Sequence, residues 1–185
     1  NFENLSRLTE GHPLVRVFNF ISHALHRNTR EGSKRNIHAH YDLGNEFYAR
    51  WLDPSMTYSS ALFTEAGQSL EAAQREKYRA LAQAMDLRAG HTVLEIGCGW
   101  GGFAEYAVKE VGARVTGITI STEQFDFSNR RMAEQGLSDR AEIKLIDYRD
   151  IEGTFDRVAS IEMFEAVGER YWPTYFNKIQ EVLAP

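Results

Sequence analysis

Ten residues near the middle of the chain, Val93-Leu94-Glu95-Ile96-Gly97-Cys98-Gly99-Trp100-Gly101-Gly102, restrict the fold more than any other stretch. The apolar, β-branched run at their start reads as a strand buried on both faces. It passes without a spacer into four glycines within six positions. Glycine adopts left-handed backbone at little steric cost and lets the main chain come close to a ligand. Residues 101–110 beyond it have helical composition. Strand, glycine turn and helix in this order open a βαβ unit.

The rest of the C-terminal half repeats that alternation. Strands are predicted over residues 91–96, 114–120, 141–146 and 156–161, with helices over 122–135, ended by Gly136, and over 171–183. Strands separated by helices of this length imply a parallel, doubly wound sheet of Rossmann-like α/β class. Such sheets bind ligands beyond the carboxyl ends of their strands. Before Arg88-Ala89-Gly90 the pattern is helical. Leu14, Val17, Phe18, Ile21 and Leu25 recur at spacings of three and four, and residues 71–85 after Ser69 form a helix with Leu70, Ala73, Tyr78, Leu81 and Met85 on its apolar face. Residues 36–52 mix a short helix with turns, and Asp53-Pro54-Ser55 marks a turn. Two regions follow: a helical, lipid-side region 1–87, and a partial ligand-binding sheet domain 88–185 that stops after its fourth strand. The chain starts at Asn1 and stops at Pro185 just past a helix, so both ends read as cut.

At 185 residues, with 43% hydrophobic and 25% charged, the chain can bury a core of ordinary size. A single cysteine, Cys98, excludes an intrachain disulfide and suits a reducing, cytoplasmic compartment. No run approaches the roughly 18 apolar residues of a membrane span. The net charge of −5 argues against nonspecific nucleic-acid binding. Between His12 and His40, however, Arg16, Arg27, Arg30, Lys34 and Arg35 face the single acid Glu31. That local excess fits either a solvated helix face or peripheral docking on an anionic membrane surface. His38, His40 and Asp42 lack a dependable further ligand, so no metal site is expected.

The glycine loop fits two templates. Gly97-x-Gly99-x-x-Gly102 matches the dinucleotide fingerprint, and Glu-x-Gly-x-Gly-x-Gly matches the first motif of S-adenosylmethionine (SAM)-dependent methyltransferases. A dinucleotide site wants an acid at the end of the second strand to hold a ribose hydroxyl. Here that strand ends Thr116-Gly117-Ile118-Thr119-Ile120-Ser121, with no acid before Glu123, while Glu95 precedes the loop. The balance favours SAM.

Six segments in order resemble the cyclopropane-fatty-acyl-phospholipid synthase family, which includes the mycolic acid cyclopropane synthases. They are residues 40–45 (HYDLGN), 52–61 (LDPSMTYSSA), 93–102, 117–124 (GITISTEQ), 147–150 (DYRD) and 162–168 (EMFEAVG). The resemblance implies cofactor contacts at Tyr58, Ser59, Glu95, Gly97, Gly99, Trp100, Gly101, Thr119, Ile120, Gln124, Tyr148 and Arg149. It implies addition of a methyl(ene) group to the double bond of an unsaturated phospholipid acyl chain, where the π bond is the nucleophile and the protein aligns it and excludes water. Bicarbonate held partly by Glu165 would take the proton, with Ser60 as a further catalytic position. The family often has Cys where this chain has Ser60, and His where it has Ala166. Related enzymes leave a methyl branch instead of a ring, which is one alternative; action on another acceptor is a second, and a non-catalytic SAM- or lipid-binding piece is a third. In the family the sheet continues for three more strands, so this piece alone is expected to be inactive. A homo-oligomer is compatible with the sequence.

Overall fold

The structure, a computed structural model, describes residues 45–185. The helix expected at Leu14–Leu25 and the group His38, His40 and Asp42 lie outside the described residues. The described residues begin with a single helical turn, α1 (Asn45–Tyr48), and a turn-rich segment leads to α2 (Leu70–Ala84). β1 (Thr92–Ile96) then enters α3 (Gly102–Tyr106) through the glycine loop. β2 (Arg114–Thr119), α4 (Thr122–Glu134) and β3 (Ala141–Leu145) follow. A short β4 (Arg157–Ala159) leads through two 3₁₀ turns to α5 (Trp172–Val182).

The four strands are all parallel in the order β3-β2-β1-β4. The connection leaves β1 for β2 on one side and later returns to β4 on the other. The order therefore reverses beside β1, as the alternation of strands and helices predicts. Period-two alternation sends Val93, Val115, Ile143 and Ala159 to one face, where they pack with Tyr78 of α2, Phe103 of α3 and Met132 of α4. Leu94, Ile96 and Ile118 go to the other, against Tyr175 and Val182 of α5. Val93, Leu94 and Ile96 are fully buried, each contributing about 1.5–3 kcal/mol. Both faces of β1 are thus covered, which explains why Val93, Leu94 and Ile96 are apolar on both sides of the strand.

Two elements differ from the sequence pattern. The helix after the glycine loop does not run unbroken to residue 110. It widens into a π-helical turn over Ala107–Val111 and stops at Gly112, whose φ is +81°. The Ala113 N–H reaches back to the Ala107 carbonyl at 3.1 Å, closing the end as a Schellman-type cap does. The fourth strand is only three residues long, because side chains replace the ladder at both ends. Asp156 accepts from the N–H and hydroxyl of Thr92 at 2.7 and 2.8 Å, and the Ser160 hydroxyl donates to the Ile96 carbonyl at 3.3 Å. Two residues later Glu162 turns to φ +48° and ends the extended chain.

α2 starts where its cap predicts: the Ser69 hydroxyl accepts from the Ala72 N–H at 3.2 Å. Its apolar face holds Ala73, Tyr78 and Ala82, with Leu81 and Met85 partly buried, whereas Leu70 is exposed. Gln74 is buried on the same face, for a reason that belongs to the site.

Candidate functional site

A cavity of about 520 Å³ opens at the carboxyl ends of β1 and β2. Its floor is the glycine loop. Gly97 has φ +79°, and a Cβ there would come within 2.9 Å of the Met163 Cγ. The absent side chain is what lets the segment after β4 close over the loop. A Cβ on Gly102 would meet the Tyr78 hydroxyl at 2.5 Å and the Thr57 hydroxyl at 3.0 Å, so this glycine admits the segment before α2. The N–H groups of Gly97 and Cys98 both donate to the Ile118 carbonyl, at 3.0 and 2.9 Å, which fixes the loop to β2.

Glu95 lies on the cavity wall, 3% exposed, with its Oε2 unpartnered. Burial pushes its carboxyl up to about 8, against the opposing pull of the Ala104 N–H and of Lys77. Lys77, half-buried, donates to the Ser59 hydroxyl at 2.5 Å. Burial pulls its amine down to about 8, although the charges of Glu162, Asp53 and Glu95 act the other way. Near neutral pH, Glu95 is a neutral acid capable of donating or accepting.

On the β2 side, the Thr119 hydroxyl donates to the Gln124 Oε1 at 2.7 Å and accepts from the Ser121 N–H at 3.1 Å. Both side chains are buried, and both line the cavity beside Ile120. Opposite them, Tyr148 packs edge-on against Tyr175, and Arg149 is held by two bonds of 2.7 Å to Asp147. The Asp147 carboxylate holds the guanidinium above its ordinary pKa. Trp100 lines the cavity with only 3% of its surface exposed, and its indole N–H donates to the Asn45 Oδ1 at 2.7 Å.

The third wall is the segment 53–60, which brings Tyr58 and Ser59 to the cavity. It has no secondary structure of its own, so side chains from elsewhere satisfy its carbonyls. Gln74 donates to the Ser59 carbonyl at 2.8 Å, and Arg131 of α4 donates to the Ser55 and Pro54 carbonyls at 2.7 and 2.8 Å. Asp53 accepts from the Ser55 N–H at 2.9 Å, and Thr57 shares a very short bond with the Tyr78 hydroxyl.

Of the residues singled out in the sequence, eleven therefore line one cavity: Tyr58, Ser59, Glu95, Gly97, Gly99, Trp100, Thr119, Ile120, Gln124, Tyr148 and Arg149. Three do not reach it. Gly101 is buried behind the loop, where its φ of +81° and missing Cβ let Ser128 and Met132 of α4 close in. Ser60 lies just off the wall and bonds Glu162, which is on it. Glu165 is exposed in the 3₁₀ turn Phe164–Ala166, off the wall. Sequence reasoning missed Gln74, Lys77, Arg131, Asp147, Glu162 and Met163. Gln74 had a visible signal, a polar residue between Ala73 and Tyr78 on an apolar helix face. Lys77, Arg131 and Glu162 are ordinary surface residue types whose roles depend on contacts far along the chain, Asp147 acts through its near neighbour Arg149, and Met163 through the loop it closes over.

Residues 28–185 match the family model described as mycolic acid cyclopropane synthetase. The chain is 42% identical over 165 residues to the tuberculostearic acid methyltransferase UfaA1 of Mycobacterium tuberculosis, covering 85% of this chain and 38% of that protein. It is 43% identical over 146 residues to the cyclopropane-fatty-acyl-phospholipid synthase of Escherichia coli K12, covering 79% of this chain and 37% of that one. Among solved structures, the mycolic acid cyclopropane synthase CmaA1 in complex with SAH and CTAB superposes with a TM-score of 0.77 at 32% identity, over 82% of this chain and 53% of that one. The chain thus spans well under half the length of these two curated relatives.

Proposed function

Given that this chain belongs to the mycolic acid cyclopropane synthetase family, we propose that it forms the SAM-binding part of an enzyme that adds a one-carbon unit to the double bond of an unsaturated phospholipid acyl chain. One observation carries the reading: a cavity at the carboxyl ends of β1 and β2, floored by glycines and walled by a buried carboxyl with a free oxygen. Bound there, SAM supplies an electrophilic methyl on a sulfonium.

The chain's own residues bind, orient and exclude water. Gly97 and Gly99 allow the ligand to approach the main chain. Glu95, neutral yet able to ionise, suits a ligand carrying an ammonium group. Thr119 and Gln124 are the polar side chains available to ribose hydroxyls, and Tyr148 with Ile120 provides an apolar flank for a base. Arg149, tied to Asp147, orders that flank. Gln74, Lys77 and Arg131 hold the segment 53–60 as a wall that keeps water from the reacting carbon. Bicarbonate at Glu165 remains the resemblance's suggestion for a proton acceptor; the exposure of that residue gives it no support.

Two observations favour a methyl-branched product as a second reading. Ser60 stands where the family often has Cys, and Ala166 where it often has His. The enzyme would work on the cytoplasmic face of a membrane as a peripheral protein. Among the described residues no helix is long and apolar enough to cross one.

Calorimetric titration of the intact protein with S-adenosylhomocysteine tests the cofactor. Mass spectrometry of lipids from expressing cells tests the reaction: gain of one CH₂ with loss of the alkene marks a ring, and the same gain with an alkene retained marks a methylene or shifted double bond. Binding without lipid change would leave only a binding module.

A further inference from the structure

Two carboxylates follow β4, and the fold treats them differently. Glu165 is exposed off the cavity wall, whereas Glu162 lies on it. The Ser60 N–H and hydroxyl both donate to the Glu162 Oε1, at 2.8 and 2.5 Å. No hydrogen bond to its Oε2 occurs among the described residues. Glu162 also holds φ +48°, a left-handed region that strains a residue with a Cβ and that glycine enters freely. Sheet packing does not explain a glutamate here, because the residue is exposed and its side chain joins neither core. Strained backbone at a carboxylate-bearing residue that lines a cavity points to a placement kept for function. The Ser60 hydroxyl and N–H, helped by the charge of Lys77, hold this carboxyl below the usual range, so it is ionised at neutral pH.

We propose that Glu162 is the proton acceptor of the alkylation, with Ser60 as its positioning residue. The inference rests on the transferase reading above. When an alkene takes a methyl group from a sulfonium, the π pair forms the new C–C bond. The C–S pair stays on sulfur, and the positive charge moves to an acyl carbon. A neutral product then requires one C–H bond to break. Its electron pair closes a ring bond or forms a C=C bond, and the proton goes to the Glu162 Oε2. No oxidant or reductant enters. A proton beside a carbocation is far more acidic than any carboxylic acid, so the acceptor need not be a strong base. It must be ionised and near. Because Glu162 is exposed as well as on the wall, the proton can pass to bulk water.

The test uses the intact enzyme with S-adenosylhomocysteine bound. Two probes are compared by calorimetry: a single-chain amphiphile carrying a permanent ammonium cation at mid-chain, and its neutral carbon isostere. Glu162→Gln is expected to weaken the cationic probe about tenfold or more, since it deletes a charge pair in a partly dry site, while affinities for the neutral probe and S-adenosylhomocysteine hold. Glu162→Asp keeps the charge and the cation preference. Glu165→Gln changes neither affinity. Lipid alkylation by Glu162→Gln falls by about a hundredfold, the scale of a lost general base. Unchanged binding of the cationic probe by Glu162→Gln overturns the proposal. So does a parallel loss of all three ligands, which would make Glu162 a strut of the wall. Wild-type enzyme that prefers the cationic probe yet alkylates no lipid overturns the transferase reading alone.

Discussion

Replacing Glu95 with Gln isolates the free-energy cost of burying an acid beside the cavity. Burial raises the Glu95 carboxyl to about 8 from an ordinary 4.5. Between those values the native chain holds a proton that the unfolded chain has released. Stability is therefore fully retained below pH 4.5 and is lost as pH rises toward 8, by about 1.4 kcal/mol per pH unit. From pH 5 to pH 8 the loss reaches roughly 4 kcal/mol. Glutamine carries no such slope. Its amide keeps an acceptor for the Ala104 N–H but leaves a donor where Oε2 was free, a fixed cost of about 1–3 kcal/mol that shifts the curve without tilting it. Urea unfolding of both proteins at half-unit steps should give a stability difference that grows in favour of Glu95→Gln across this window. The window stops at pH 8 because Glu95 then ionises in the native state as well. Above that point Lys77, whose amine is lowered to about 8, makes stability rise with pH in both proteins and cancels from the difference. A difference curve flat from pH 5 to pH 8 would refute the reasoning, since it would mean that Glu95 is ionised in the fold and sustained by Lys77.

Gly97→Ala should lower affinity for S-adenosylhomocysteine at least about tenfold and cost roughly 1–2 kcal/mol of stability, because φ +79° and the Met163 side chain at 2.9 Å both resist a Cβ; calorimetry and urea unfolding read the two effects. Arg131→Met should cost about 3 kcal/mol, the range for hydrogen bonds from a charged group that leave partners unpaired, and should loosen the segment 53–60, read as faster proteolysis between Asp53 and Ser60. Ser69→Ala should cost about 1 kcal/mol through the lost cap of α2 and leave ligand affinity unchanged, which separates a general stability loss from a site effect.

The sheet was legible because its signal is local. Val93, Leu94 and Ile96 are apolar on both sides of the strand, since both faces of β1 are covered, and the glycines after it mark a turn that few other folds require. The floor of the cavity could be read for the same reason. The third wall could not. Tyr58 and Ser59 came only from the resemblance, because a segment without periodicity carries no pattern, and its placement depends on Gln74, Lys77 and Arg131, each far along the chain. The helix after the glycine loop was read as regular because Ala107 to Val111 has ordinary helical composition; the widened turn depends on how Gly112 closes the end. Ser60 and Glu165 were assigned from motif position, and position could not tell that Glu162, three residues before Glu165, would take the wall.

The way the third wall is held bears on how the cavity opens. Among the described residues, the hydrogen bonds that hold the segment 53–60 from outside it involve side chains: Gln74, Lys77 and Tyr78 on α2, Arg131 on α4 and Glu162 after β4. Such bonds exchange with water at a net cost of about 1 kcal/mol each, far less than separating an apolar core. Met56 anchors the segment in a small cluster with Tyr48 and Trp100, apart from the two sheet cores. The wall can thus release without unfolding the sheet, which would admit the acyl chain of the proposed reaction. Hydrogen exchange on the intact protein should then find Ser55 to Ser60 opening far more readily than Val93 to Ile96, and S-adenosylhomocysteine should slow the first group much more than the second. Equal protection of the two before ligand is added would mean the wall is part of the rigid core, and access to the site would have to come from elsewhere in the molecule.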